Sequence, residues 1–259
     1  MMRKNIINSD IEAKKLLNFS TKFSSALLSN GAEVYRVEDS INRICKSFEN
    51  IKAVNTFAID NMVIITFVFE GTNYTSMRRV NKSDANLEKI TLLNELSRNI
   101  VSGNLGLDES FLELKNIKSK QPYKNLTKIL SLAITAPFLS VIFGGSLKDF
   151  FAAFIAMLFE MLFLIRVEKF KLPSFLTISV SAGAVTFFTV ILAKIFPIQN
   201  TSSIIISGIL PLFPGIRITN SMRDILSGDI LSGMIGIMSA IFTAVSIAIG
   251  VVTILKIFG

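Results

Sequence analysis

ILPLFPGIRITNSMRDILSGDILSG, residues 209–233, lies between two long apolar runs. It holds two prolines, three glycines, two arginines and two aspartates. Each of these residues is costly in a membrane-spanning helix. If the stretch is a tight turn, the apolar runs beside it are two plain spans. If it is a helix broken inside a membrane, its polar residues stand where a solute can meet them.

The runs on either side make the membrane reading the natural one. The chain has 259 residues, 51% of them hydrophobic, with a mean hydropathy of +0.56. This is too apolar for an ordinary soluble domain. Residues 1–124 hold 18 Lys+Arg and 14 Asp+Glu, and residues 125–259 hold 9 and 5. The sequence therefore predicts a small cytoplasmic α/β domain over 1–124, followed by an α-helical integral membrane domain over 125–259. Five transmembrane helices are expected near 126–144, 149–166, 174–196, 203–220 and 230–257. A helix needs about 20 residues to cross about 30 Å of hydrocarbon, so the second and fourth are short.

In the first half, the apolar spacing predicts a helix over 10–30 with Ile11, Leu16, Leu17, Phe19, Phe23 and Leu27, ended by Gly31. A second helix carries Val34, Val37, Ile41, Ile44 and Phe48. AVNTFAID, NMVIITFVFE and TNYTSMRRV are β-branched, aromatic and short, and predict three strands. Helices over 84–103 and 108–117 follow.

Orientation follows from the basic residues. Lys118, Lys120 and Lys124 close the first domain. Arg166, Lys169 and Lys171 follow the second span, and Arg217 and Arg223 follow the fourth. With five spans these lie on one side, opposite Lys148, Lys194 and Lys256. The N-terminus MMRKNIINSDIEAKK has no apolar core, so no signal peptide is expected. The expectation is a multi-pass protein of the plasma (inner) membrane with its N-terminal domain in the cytoplasm and the lipid bilayer as its first partner.

Several chemistries are excluded. There is no histidine, and Cys45 is the only cysteine. Histidine-based acid–base work, Ser/His triads, zinc sites and internal disulfides are therefore absent. No metal or cofactor is implied. Cys45 lies in a helical pattern and reads as a packing residue. The net charge of +8 is shared equally by the two halves. It forms no basic stripe with interleaved aromatics, so no nucleic-acid partner is expected.

Pro211 removes a backbone donor inside the fourth span, and Pro214-Gly215 ends or bends the helix again. Irregular backbone at membrane depth is tolerated where it is covered by protein or lines a wet cavity. If RITNSMRD is helical, Arg217, Asn220 and Asp224 share one face. A cation, an amide and a carboxylate there suit a zwitterionic or anionic solute. The plainer reading is a solvated, salt-bridged interfacial helix. Asp224 and Asp229 are candidate protonatable carboxylates. Glu160 stands in FFAAFIAMLFEMLFLIR with apolar residues for three positions on each side. A carboxylate there costs at least about 2.5 kcal/mol on insertion scales, and suits a proton-coupled step. The plainer reading is a carboxylate near the cytoplasmic end, paired with a neighbouring helix.

In the last span Gly228, Ser232, Gly236, Ala240, Ala244 and Ala248 recur every four residues, which lets helices approach closely in lipid. Thr177, Ser179, Ser181, Thr186 and Thr189 either line a polar path in the third span or bond their own helix backbone.

Two separated stretches resemble the threonine/serine exporter family. LLSNGAEVYRVEDSINRIC is similar to its cytoplasmic signature, a glycine-alanine pair followed by arginine-valine-glutamate. PLFPGIRITNSMRDILSGD is similar to its proline-glycine, asparagine, arginine-aspartate, glycine-aspartate run before the last helix. By this resemblance Gly31, Arg36 and Glu38 occupy cytoplasmic signature positions, and Pro214, Gly215, Asn220, Arg223, Asp224, Gly228 and Asp229 occupy those of the membrane motif. The plainer reading of the first motif is structural, with Gly31 breaking the helices and Glu33–Arg36 forming an i,i+3 pair.

The resemblance implies a carrier exporting small polar metabolites along an ion gradient. Five spans resemble the split form, in which a second, smaller membrane protein supplies the rest, and whose relatives are associated with dicarboxylates such as succinate. A homo-oligomer is the alternative assembly. The competing function is a sensor or regulatory subunit whose spans serve as an anchor, which would need neither Glu160 nor Asp224. No enzyme is expected, because no nucleophile–base pair is visible.

Overall fold

The structure, a computed structural model, describes residues 6–80, 85–120, 123–170 and 172–259. Lys171, used above for orientation, lies outside the described residues. The chain divides into two compact units, one of residues 1–121 with 216–238, the other of residues 122–215 with 239–259.

The first unit is built on α1 (Asp10–Ser29), α2 (Val34–Lys46), β1 (Ile51–Ile59), β2 (Met62–Phe69), β3 (Thr72–Arg79), α3 (Leu87–Val101) and α4 (Leu107–Ser119). Ser9 caps α1 by accepting the Glu12 N–H, and Asn86 caps α3 by accepting that of Lys89. The helix expected from residue 84 therefore begins at Leu87. The strands form an antiparallel meander in the order β1-β2-β3. Val63, Ile65, Phe67 and Phe69 alternate on the buried face of β2. They meet Leu16, Phe19, Phe23 and Leu27 of α1 and Val37, Ile41 and Ile44 of α2 in one core. Cys45 is buried there beside Ser20. Ile11 is an exception to the α1 pattern: it is the second residue of the helix, in its first turn, and is 76% exposed.

The same unit takes in α9 (Gly215–Leu226) and the start of α10 (Ile230–Phe258). The fourth span expected over 203–220 is not one helix. Helix α8 runs Thr201–Ile209, a 3-10 turn covers Leu210–Leu212, and Phe213 is extended before α9 begins. Pro211 and Pro214 supply no N–H to carry the α-helical ladder across. Helix α9 is amphipathic, with Ser221 and Asp224 buried in the first unit.

The second unit holds α5 (Asn125–Ile142), α6 (Leu147–Glu168), α7 (Ser174–Ile195), α8 and the rest of α10. Helices α5, α6, α7 and α10 are each long and apolar enough to cross a membrane. The count becomes five if α8 with its 3-10 turn and α9 form one interrupted span. Small residues set the packing. Ala133 and Ala136 meet Met157 and Met161, while Ala152, Ala153 and Ala156 meet Leu192 and Ile204. Gly183 and Gly250 bring α7 and α10 close, and Ser179 donates to the Ser246 carbonyl at 2.8 Å. The outer surface is apolar (Ile134, Phe138, Phe159, Leu162, Leu176), whereas Glu160, Ser181, Thr186, Thr189 and Ser207 are buried. Thr186 and Thr189 bond the carbonyls one turn back in their own helix. An apolar outside around a polar inside is the distribution that lipid selects.

Candidate functional site

Within the first unit, the two motifs of the sequence meet. Gly31 follows α1 in the left-handed region, φ +85, which frees its carbonyl to turn away from the helix. That carbonyl accepts the Asn220 amide at 2.8 Å. Glu33, at the N-cap of α2, makes no side-chain cap of its own. Its buried carboxylate takes Arg36 at 3.0 Å on one oxygen and Arg223 on the other. The cap comes from α9 instead. Val34 donates its N–H to Asp224 Oδ1 at 3.0 Å, and the Tyr35 N–H bonds the same carboxylate. Free N–H groups and a positive dipole end at the start of α2 favour a carboxylate there.

Two further carboxyls lie close. Glu38 accepts the Ala58 N–H at 2.6 Å. Asp229 precedes α10, and its N–H closes the end of α9 on the Asp224 carbonyl at 2.9 Å. Burial pushes the Asp224 carboxyl up to about 6, against the pull of the Tyr35 and Val34 N–H groups, with Asp229 and Glu33 adding repulsion. Burial also raises Glu38, which Asp229 and Asp224 raise further while the Ala58 N–H opposes them. Asp229 is raised by burial. The seam thus gathers three carboxyls that hold protons more readily than free ones.

Helix α10 closes on this seam through missing side chains. A Cβ at Gly236 would overlap Ser221 Oγ, and one at Gly233 would overlap the Ile225 side chain. Ser232 lies 3.5 Å from the Ala58 carbonyl. Gly228 stands in the turn before α10 at φ +98, with open space where a side chain would be. Ala240 is buried in the second unit. Arg217 lies on α9, where its carbonyl accepts the Ser221 hydroxyl at 2.7 Å.

In the second unit, Asp149 and Glu160 are buried acids of opposite character. Asp149 takes the Ser146 N–H at 2.7 Å and hydroxyl at 2.8 Å. It also takes the Gln199 and Asn200 N–H groups, tying the start of α8 to the start of α6. Neither oxygen of Glu160 has a hydrogen-bond partner among the described residues. No three His, Cys, Asp or Glu side chains among the described residues are grouped to hold a metal.

The chain matches the family model described as "Putative threonine/serine exporter" over residues 18–258. It belongs to that family. Among curated proteins it is similar to a "Probable threonine/serine exporter" of Mycobacterium tuberculosis. The identity is 20% over 250 residues, covering 95% of this chain and 47% of that protein. It is also similar to the "Probable succinate transporter subunit YjjP" of Escherichia coli. There the identity is 23% over 237 residues, covering 90% of this chain and 91% of that protein. The chain thus spans about half the length of the mycobacterial relative. No solved structure matches it. Family and apolar helices together make this threonine/serine exporter family member a multi-pass membrane protein.

The structure brings Gly31, Asn220, Arg223 and Asp224 to one seam. It places Arg36 and Glu38 on the same helix beside it, and Glu160 in the other unit. Three contributors were not singled out from the sequence as site residues. In the sequence Glu33 shows only as a local i,i+3 partner of Arg36. Asp149 had a usable signal, since Ser146 followed three residues later by an acid is a helix-start pattern. Gly208, inside the apolar run SSIIISGIL, could have marked a close approach.

Proposed function

We propose that the chain is a subunit of an exporter of small polar metabolites, of the threonine/serine type or dicarboxylates such as succinate, driven by an ion gradient. The observation that carries this reading is the family match over residues 18–258. A relative of similar length is named a subunit. This favours a second, smaller membrane protein as partner, with a homo-oligomer as the alternative. The first unit stands on the cytoplasmic side of the plasma membrane in this reading. Both the segment before α5 and the segment 216–238 belong to that unit, so the chain between them crosses the bilayer an even number of times. Four crossings by α5–α8 and a fifth by α10 satisfy this. Helix α8 with its 3-10 turn, Thr201–Leu212, rises only about 18 Å, so in this reading the first turns of α9 complete the crossing as one interrupted span. Asn220, Arg223 and Asp224 tie the cytoplasmic unit to the root of α10, and Arg217 and Asp229 stand at the mouth of the path.

The test is efflux from cells loaded with labelled threonine, serine or succinate. The cells express this chain alone or with the smaller membrane protein encoded beside it. Efflux that requires both is the expected result and names the substrate class. Efflux from the chain alone would replace the split assembly with a homo-oligomer. No efflux with both proteins in the membrane would overturn the exporter reading.

A further inference from the structure

Glu160 lies at the meeting of α6, α7 and α8. Its residue is fully buried. On α8, Gly208 offers bare backbone above it. A Cβ at 208 would stand 3.6 Å from Glu160 Oε2 and 2.5 Å from Val185 Cγ1 on α7. One turn back on α7, the Ser181 hydroxyl is also buried without a partner among the described residues.

The charged groups on the packed helices are engaged or placed elsewhere. Lys128 of α5 and Lys148 of α6 lie in the first turns of their helices, and Lys194 in the last turn of α7. Asp149 is committed to Ser146, Gln199 and Asn200. Arg166 donates to the Leu162 carbonyl at 3.4 Å. Helix α8 carries no charged residue. Among the described residues no ion pair reaches Glu160.

An ionised carboxylate enclosed in this way costs several kcal/mol for lack of any donor or countercharge. A neutral carboxyl loses only unmade hydrogen bonds, about 1–3 kcal/mol. A metal cation would need about six oxygen ligands. Among the described residues the buried side-chain oxygens without a partner are the two of Glu160 and that of Ser181.

We propose that Glu160 is the proton-binding group of the transport cycle, protonated while α7 and α8 enclose it and exchanging its proton with water when their contact at Gly208 opens. No covalent bond other than the carboxyl O–H forms or breaks. The proposal rests on the exporter reading for its role in transport, whereas the protonated site itself does not.

The test is reaction of the purified full chain with a hydrophobic carbodiimide, which adds to protonated carboxyls in apolar surroundings and leaves a stable N-acylurea, read by mass spectrometry of the peptide holding Glu160. Labelling is expected at Glu160, falling about tenfold for each pH unit above the carboxyl's own titration point. Glu160→Gln is expected to remove that label and to lose efflux driven by a proton gradient. Labelling that is absent, or that does not change with pH, would overturn the protonated site. A Glu160→Gln protein whose efflux still collapses when the proton gradient is dissipated would overturn its role in coupling. Protection from labelling by sodium rather than by alkaline pH would replace the proton with a metal cation. A wild-type protein that moves no solute would remove the exporter reading instead. The labelling needs no substrate and would still decide whether Glu160 holds a proton.

Discussion

Asp224 accepts the first N–H of α2 from a position 190 residues later in the chain. Its ionised form is the disfavoured one in the folded protein, because burial has raised it from the ordinary carboxylate range to about 6. The stability tied to this carboxyl is therefore complete at acid pH and lost as pH rises through about 6. The thermal midpoint of the purified protein is expected to fall as pH rises from about 4 to about 6. Asp224→Asn keeps an oxygen for the Val34 N–H and cannot ionise, so the fall should shrink. A remainder should persist from Glu38 and Asp229, shifted in the same direction. A slope as steep in the variant as in the parent would clear Asp224 of responsibility. In the efflux assay the same variant is expected to insert normally and export nothing. Local pairs of this kind were legible from spacing: Glu33 and Arg36 form the ion pair that three residues of helix allow. The tie from Glu33 to Arg223 was not, because no periodicity reports a partner on a distant helix.

At the scale of elements, α9 and α10 approach so closely at Gly236 that a methyl group has no room beside Ser221. Gly236→Ala is expected to cost about 1–3 kcal/mol through overpacking, lowering the thermal midpoint by a few degrees. Adding Ser221→Ala removes the hydroxyl that obstructs the methyl and should restore much of the loss. If the double variant melts no higher than Gly236→Ala alone, the crowding lies elsewhere. The four-residue repeat on α10 drew attention to Gly236 and Ser232, and also to Gly228, which serves a turn. Gly233, off that repeat, shares the close approach. Repeat spacing identifies a face of a helix, while the neighbour against that face is set by tertiary folding. Helix and strand positions followed the apolar period closely because burial imposes it. The interruption after Ile209 was announced by Pro211 and Pro214.

For the whole molecule, the uneven distribution of charge separated a polar first half from an apolar second half. It could not show that residues 216–238 return to the first unit, since their amphipathic pattern fits a membrane surface equally well. A chain ending at residue 212 therefore lacks part of that unit. Cys45 reports the consequence, as burial hides its thiol and pushes it up to about 11. In the full chain Cys45 should resist maleimide, and in the shortened chain it should react. Equal protection in both would mean that the α/β part closes without α9 and α10. During synthesis the two ends of the seam are also separated in time. Val34 leaves the ribosome 190 residues before Asp224, roughly 10–40 s earlier at ordinary elongation rates. In that interval α5, α6 and α7, each long and apolar enough to cross a membrane, emerge while α2 stays uncapped. A chain that stalls or inserts wrongly keeps that helix end exposed, so closure of the seam certifies that translation has passed α9.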